Sequence, residues 1–133
     1  MDDFVNLVNR YWDKQNPIVL AAFTLWKLNQ IHPFINGNGR TARAAAYLVL
    51  CLKYEQWLPG EVILPELLKR DRADYVAALK KTDQLSRAGD PNFLNELCVL
   101  LDKLLSEQLS AFDTNGTQPP EVIAPALPAP DPT

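Results

Sequence analysis

Apolar residues along the chain recur at helical spacing, and no segment alternates between apolar and polar positions as a half-buried strand does. Residues 2–13 have the pattern of a short amphipathic helix. Asn16-Pro17 is a helix-start signal, since a capping side chain precedes a proline that suits the first helical position. From Ile18 to Ile31 apolar residues fall on nearly every side, which predicts a helix buried on most sides and ending before Pro33.

A second strongly apolar segment follows a short polar stretch. We expect it to form a helix from about Gly39 to about Gln56. Its run from Ala44 to Leu52 contains no polar group except the phenol of Tyr47. This pattern predicts a buried helix at the centre of the domain.

Three further segments complete the predicted domain. We expect one or two helical turns at 65–70, an amphipathic helix at 71–85, and a long helix with an apolar face at 92–110, preceded by Asp90-Pro91. The predicted fold class is all-α, a compact bundle of five to six helices over residues 1–113. Six of the eleven prolines lie between residues 119 and 132, so residues 114–133 are predicted to form a disordered, proline-rich tail.

Composition narrows the range of partners. The 133 residues suffice for one domain, and 47% apolar with 22% charged residues is typical of a globular protein. The net charge is −3 without any Lys or Arg run, so we expect neither nucleic acid nor a membrane surface as partner. The sequence has no signal core or membrane span, which predicts a cytoplasmic protein. Cys51 and Cys98 are isolated and are expected to be buried hydrophobes.

The candidate chemistry is concentrated in residues 32–43, His-Pro-Phe-Ile-Asn-Gly-Asn-Gly-Arg-Thr-Ala-Arg, between the two apolar helices. Gly37 and Gly39 allow a turn whose N–H groups point into one concavity, and the helix start that follows adds unpaired N–H groups. Arg40 and Arg43 are three residues apart, so they project from neighbouring positions on the first helical turn. Together these groups are suited to hold more than one phosphate group.

His32, the only histidine of the chain, precedes this turn. Histidine is mostly neutral at pH 7, as a general base must be. A base beside a polyphosphate site suggests that a hydroxyl of a second substrate loses its proton to His32 and attacks a bound phosphoryl group. Taken alone, the glycine turn, the two arginines and the histidine each have a plainer structural interpretation. Their convergence within twelve residues favours the functional one.

The stretch resembles the signature of the Fic (Fido) domain family, His-Pro-Phe-x-[Asp/Glu]-Gly-Asn-Gly-Arg-x-x-Arg. The matched fixed positions are His32, Pro33, Phe34, Gly37, Asn38, Gly39, Arg40 and Arg43. The resemblance extends, more weakly, over residues 4–110. It implies an all-helical fold and transfer of AMP from ATP, with Mg²⁺, to a Ser, Thr or Tyr hydroxyl of a target protein.

The resemblance also implies a role for each matched residue. His32 would be the catalytic base, and the side chain after Pro33 would be a buried anchor for the loop. The Gly37–Gly39 amides would form the anion hole, with Asn38 orienting the α-phosphate. The two arginines of the motif would hold the β- and γ-phosphates.

The chain departs from the family pattern at Asn36, where relatives usually have an acidic residue that holds Mg²⁺. An amide oxygen can still coordinate a hard cation but brings no charge, so weak Mg²⁺ binding and slow transfer are expected. We also expect no hairpin flap to align the target, because the residues before His32 have a helical pattern. No Glu is followed by Gly or Asn, so the inhibitory motif of many relatives is not predicted. Regulation would then come from another chain or segment. The sequence is compatible with either a fragment of a longer protein or a reduced version of the domain.

Three hypotheses therefore stand. The chain is a Fic-type transferase that moves AMP, or a related phosphate-containing moiety, to a protein hydroxyl. Alternatively, it is a weakened or inactive Fic-fold module that binds a nucleotide or a partner, because Asn36 replaces the metal-binding acid and the flap is absent. The third is transfer from a different donor, since a changed residue 36 alters how a diphosphate sits.

Overall fold

The computed structural model of the chain describes residues 2–33 and 35–114, and side chains as far as residue 111. This part contains helices and no strands, which confirms the predicted all-α class. The helices are α1 (Asp2–Tyr11), α2 (Pro17–Ile31), α3 (Asn38–Lys53), α4 (Leu64–Arg70), α5 (Arg72–Arg87) and α6 (Asn95–Thr114). The tail predicted at 114–133 lies, from residue 115 onward, outside the described residues, and Thr114 itself is the last residue of α6.

Helix α2 begins and ends as the sequence predicts. The side-chain oxygen of Asn16 accepts a hydrogen bond from the Val19 N–H at 2.9 Å, which satisfies one of the free donors at the helix start. The helix ends at Ile31, because His32 adopts a left-handed backbone with φ 54° and ψ 57°. The His32 N–H still donates to the Leu28 carbonyl at 3.0 Å, so this residue closes the last turn of α2.

Helix α3 is buried on one side only, which corrects the prediction that its apolar run lies fully inside. Leu50 is completely buried, whereas Leu48 and Leu52 are 47% and 41% exposed. The run is too uniformly apolar to reveal which face packs, and the packing of α3 against α2 and α4 decides it. The helix ends at Lys53 rather than near residue 56, because Glu55 adopts a left-handed φ of 56° that a helix does not continue.

Two other boundaries differ from the prediction. Helix α1 ends at Tyr11 instead of residue 13, and α6 begins at Asn95 instead of residue 92. Gly89, just after α5, has a left-handed φ of 75°. Asp90 does cap the next segment, since its side chain accepts a hydrogen bond from the Asn92 N–H at 2.8 Å, but the capped segment is a turn at 91–94 that precedes α6.

The core lies between α2, α3, α4 and α6, with α1 and α5 packed at its sides. Its fully buried large side chains are Leu25, Leu50, Leu64, Leu68, Leu97, Leu101 and Leu104.

Cys51 is buried as predicted, whereas Cys98 is only partly buried at the edge of a groove between α1 and the start of α6. No helix in the described ranges has the length and apolar character needed to cross a membrane.

A buried glutamine ties the far end of α6 to the connection between α3 and α4. Gln108 is 1% exposed, and its Oε1 accepts a hydrogen bond from the Leu64 N–H at 2.7 Å. Its Nε2 donates to the Pro59 carbonyl at 2.9 Å and to the Tyr47 hydroxyl at 3.0 Å. Gly60 makes room for this side chain, since a Cβ there would lie 2.6 Å from the Gln108 Cγ.

Candidate active site at the start of helix α3

The predicted site residues lie at one end of the α2–α3 pair. His32 closes α2, and the short connection 33–37 leads to Asn38, the first residue of α3. Helices α2 and α3 pack closely against each other, and so short a connection makes them antiparallel neighbours. The histidine and the start of α3 are therefore at the same end of the pair.

The turn that opens α3 has the geometry of an anion-binding helix start. Gly37 precedes the helix with φ 78° and ψ 15°, a left-handed backbone that glycine adopts without a steric penalty. Its carbonyl accepts the first helical hydrogen bond, from the Thr41 N–H at 2.9 Å. Gly37 has no side chain, so residue 37 contributes no capping oxygen to the helix start.

Both motif arginines fold back over this turn. A Cβ built on Gly37 would lie 3.6 Å from Nη2 of Arg40, and one built on Gly39 would lie 3.2 Å from Nη1 of Arg43. Helical side chains point toward the N-terminus of their helix, which is why residues 40 and 43 reach back to residues 37 and 39. Two guanidinium groups thus lie beside the first turn of α3, at the positive end of its dipole.

The other predicted residues differ in exposure. His32, Pro33 and Asn36 are exposed, whereas Asn38 is only 4% exposed. The exposed imidazole is open to a second substrate. Phe34, the predicted buried anchor, lies outside the described residues.

One neighbour of the site was not among the sequence-predicted site residues. Tyr75 on α5 is 4% exposed, and its hydroxyl accepts a hydrogen bond from Asn29 Nδ2 at 2.9 Å. Burial raises the pKa of the Tyr75 phenol, and the hydrogen bond from Asn29 and the positive charge of Arg43 partly offset that effect. The available signal was weak, namely that a buried tyrosine hydroxyl needs a polar partner.

The described residues do not form a magnesium site by themselves. They contain no group of three or more acidic, histidine or cysteine side chains placed to hold a metal ion. Asn36, which stands at the expected metal position, is exposed and offers one neutral oxygen. The residues therefore fit Mg²⁺ poorly without the charged oxygens of a bound phosphate.

Comparison with known proteins agrees with the helical fold and the glycine-arginine turn. The Fic/DOC family model matches residues 1–50, which include the whole motif. A Fido domain-containing protein of Dictyostelium discoideum is 34% identical over 76 residues, covering 57% of this chain and 48% of the relative. Protein adenylyltransferase Fic of Drosophila willistoni is 33% identical over 123 residues, covering 92% of this chain and 22% of the relative.

The chain belongs to the Fic (Fido) domain family. Protein adenylyltransferase Fic of Drosophila persimilis is 35% identical over 109 residues, with 81% of this chain and 19% of the relative covered. The chain thus spans about half the length of the Dictyostelium relative and about a fifth of the length of the two Drosophila relatives. No solved structure matches the chain.

Proposed function

We propose that this chain is a Fic-type transferase that moves AMP from ATP to a Ser, Thr or Tyr hydroxyl of a protein. The observation that carries the proposal is the uncapped start of α3, with the guanidinium groups of Arg40 and Arg43 folded over its glycines. Such an arrangement suits a polyphosphate better than a single anion, because it combines free N–H groups with two forked cations. The similarity to proteins named adenylyltransferases supports ATP as the donor.

The proposed reaction needs one base and one anion site. The target hydroxyl gives its proton to the imidazole of His32, and its oxygen attacks the α-phosphorus of ATP. A new oxygen–phosphorus bond forms, the bond from the α-phosphorus to the bridging oxygen breaks, and pyrophosphate leaves. The N–H groups at the start of α3 stabilise charge on the α-phosphate, while the two arginines hold the β- and γ-phosphates. Mg²⁺, when bound with ATP, would add charge neutralisation of the phosphates, with Asn36 as the chain's own ligand.

The test is labelling of proteins in a lysate by ATP carrying radioactive phosphorus at the α position, in the presence of Mg²⁺. Wild-type protein should label targets, or itself, and His32→Ala should reduce labelling by at least about 100-fold, as expected for loss of a general base. ATP labelled at the γ position should give no signal above that of the lysate without this protein, because pyrophosphate leaves. Equal labelling by wild type and His32→Ala would contradict the proposal.

A second candidate function is a Fic-fold module that binds a nucleotide or a partner without transfer. The specific observation in its favour is Asn36, exposed and neutral where a charged metal ligand is expected. Asn36→Asp separates the two candidates, because the added carboxylate supplies the missing charge. A large gain in transfer would indicate a weakened enzyme, whereas ATP binding that ignores Mg²⁺ and no transfer in either form would support the binding module.

Other donors are tested in the same way. Intact-mass shifts of the protein and of candidate targets with UTP, GTP and CDP-choline show whether another phosphate-containing group is transferred. The mass added identifies the donor moiety, so a shift with one of these compounds and none with ATP would replace the adenylyl group in the proposal.

A further inference from the structure

An apolar groove of about 440 Å³ lies between α1, the start of α2 and the start of α6. Its aromatic walls are Tyr11, Phe23 and Phe93. The ring of Phe93 packs edge-on against Trp26 with the centroids 5.2 Å apart, so this wall is fixed by the core, whereas Tyr11 is 38% exposed. This α1–α6 groove is therefore open to solvent and suited to an extended apolar segment.

A second groove, of about 370 Å³, continues the first along α6. This α2–α6 groove is lined by residues 16–19 at the start of α2, by Tyr54 at the end of α3 and by Val99 on α6. Val19 and Cys98 line both grooves, so the two are contiguous. Tyr54 is 44% exposed and Val99 is 68% exposed. The two grooves together form one largely apolar surface, which we call the α6 track.

The α6 track and the anion site lie at opposite ends of the α2–α3 pair. The track includes Pro17, the first residue of α2, whereas His32 closes that helix at its other end. The 15 residues of α2 separate these ends by about 22 Å. An occupant of the track therefore leaves the anion site open, and the inference drawn below does not depend on the proposed function.

The sequence that follows α6 has the composition to occupy such a track. Asn115-Gly116 is a turn signal directly after the last residue of the helix. The six prolines between residues 119 and 132 favour a polyproline II backbone with three residues per turn. With that period two adjacent rows are apolar, one formed by Val122, Pro125 and Pro128 and the other by Ala124, Leu127 and Pro130. Proline-rich segments of this kind bind in aromatic-lined grooves.

The length of this segment also fits the track. Helix α6 has 20 residues and is therefore about 30 Å long. After a four-residue turn at 114–117, residues 118–127 in polyproline II span about 31 Å. Val122 is then about 16 Å from the turn, level with Asp102 in the α2–α6 groove, and Leu127 is level with Phe93 in the α1–α6 groove.

We propose that residues 118–127 bind in the α6 track of their own chain, antiparallel to α6, with Val122 in the α2–α6 groove and Leu127 in the α1–α6 groove. Because the turn after α6 tethers the segment beside the track, its effective concentration there is on the order of millimolar. Weak apolar contacts are enough at that concentration. A second copy of the chain would have to reach it in free solution, which favours the chain's own segment as the occupant.

The experiment measures disulfide formation in the full chain between Cys98 and a cysteine placed in the segment. Cys98 lines both grooves, whereas Cys51 is fully buried and does not compete. The variant Ala124→Cys brings a thiol level with Cys98, and Ala129→Cys is the matched control because it places the thiol about 16 Å farther along the segment. Both variants are oxidised with diamide at low protein concentration, and the loss of two hydrogens is followed by intact mass.

We expect Ala124→Cys to form the disulfide at least about 10-fold faster than Ala129→Cys. An unbound segment would give rates within about 2-fold, because effective concentration falls only slowly with the length of the loop. In the Ala124→Cys background, Val99→Ser removes an exposed apolar side chain of the track and should slow the reaction about 3-fold or more. Val62→Ser is its matched control, since this valine is 53% exposed but lines neither groove, and it should leave the rate unchanged.

Equal rates for the two cysteine positions, or a rate that Val99→Ser leaves unchanged, would overturn the proposal. Disulfide-linked dimers whose share rises with protein concentration would assign the track to a second copy and would also overturn it. If Val99→Ser lowers Tm, the double variant Val122→Ser and Leu127→Ser takes its place, because it removes the apolar side chains of the segment without changing any helix, and the same slowing is expected. None of these results changes the ATP binding expected at the anion site, so the proposed function is tested separately.

Discussion

Two glycines of the motif should respond in opposite ways to alanine, although they are only two residues apart. Gly37 has a φ of 78°, and an alanine forced into the left-handed region costs about 1–2 kcal/mol. Its added Cβ would lie 3.6 Å from Nη2 of Arg40, which is ordinary van der Waals contact, so no steric cost is added. Gly37→Ala should therefore destabilise the fold by the backbone term alone.

Gly39 lies inside α3, where alanine is the better helix former. Gly39→Ala should gain up to about 0.5–1 kcal/mol of stability, with the smaller value expected so close to the helix start. The new Cβ would lie 3.2 Å from Nη1 of Arg43, so the guanidinium must shift by a few tenths of an ångström. The end of a flexible side chain makes that shift at little cost to folding. The same shift displaces a predicted phosphate ligand, so ATP binding should weaken.

The two variants should therefore differ by about 2 kcal/mol in the free energy of unfolding, or about 8 °C in Tm for a domain of this size. Urea and thermal denaturation of both proteins, followed by circular dichroism, measure the difference, and an ATP titration measures the effect on binding. A Gly39→Ala protein that loses as much stability as Gly37→Ala would refute the argument from backbone geometry. Gly39→Ala with higher stability and unchanged ATP affinity would refute only the placement of Arg43.

Three other changes test contacts elsewhere in the fold. Gln108→Leu leaves the buried Leu64 N–H without its acceptor and should lower the free energy of unfolding in urea by about 2–4 kcal/mol. A loss under about 1 kcal/mol would contradict the role of this glutamine. Gly60→Ala places a Cβ 2.6 Å from the Gln108 Cγ and should lower Tm. A Gln108→Ala background should relieve only part of this loss, because Gly60 keeps its φ of 130° and the Gln108 carbonyl oxygen lies 3.0 Å from the same Cβ. The hydrogen bond from Arg70 lowers the pKa of Glu107, so this exposed ion pair adds stability above the carboxyl's unfolded pKa and loses it as pH falls through the folded value. Arg70→Gln should flatten the stability profile between about pH 6 and about pH 3, and an unchanged slope would argue against the pair.

Helix boundaries set by local contacts were predictable from the sequence. Asn16 caps α2 through an N–H three residues away, and Pro33 limits the backbone of the residue before it. The left-handed turn at Gly37 and the backward reach of the two arginines were equally predictable, because the backbone freedom of glycine and the direction of helical side chains are short-range properties. These features depend on neighbours within about one helical turn and need no knowledge of the remaining fold.

Boundaries without such local signals were predicted less well. The sequence predicted that α3 extends to about residue 56, because nothing near Glu55 indicates the left-handed backbone that ends the helix. Helix α6 was predicted to follow Asp90-Pro91 directly, because the same cap precedes a turn and a helix. In both cases the flanking residues are compatible with a longer helix, and packing selects the shorter one.

The approximate positions of the helices, the Asn16 cap and the motif could therefore be identified from the sequence alone, because each depends on local chemistry. The tertiary structure decided which side of α3 is covered, and it brought Tyr75 to Asn29 across 46 residues of sequence and Gln108 to Leu64 across 44. Helical periodicity shows that a residue faces inward but not which partner it meets, because the partner depends on how separate helices pack.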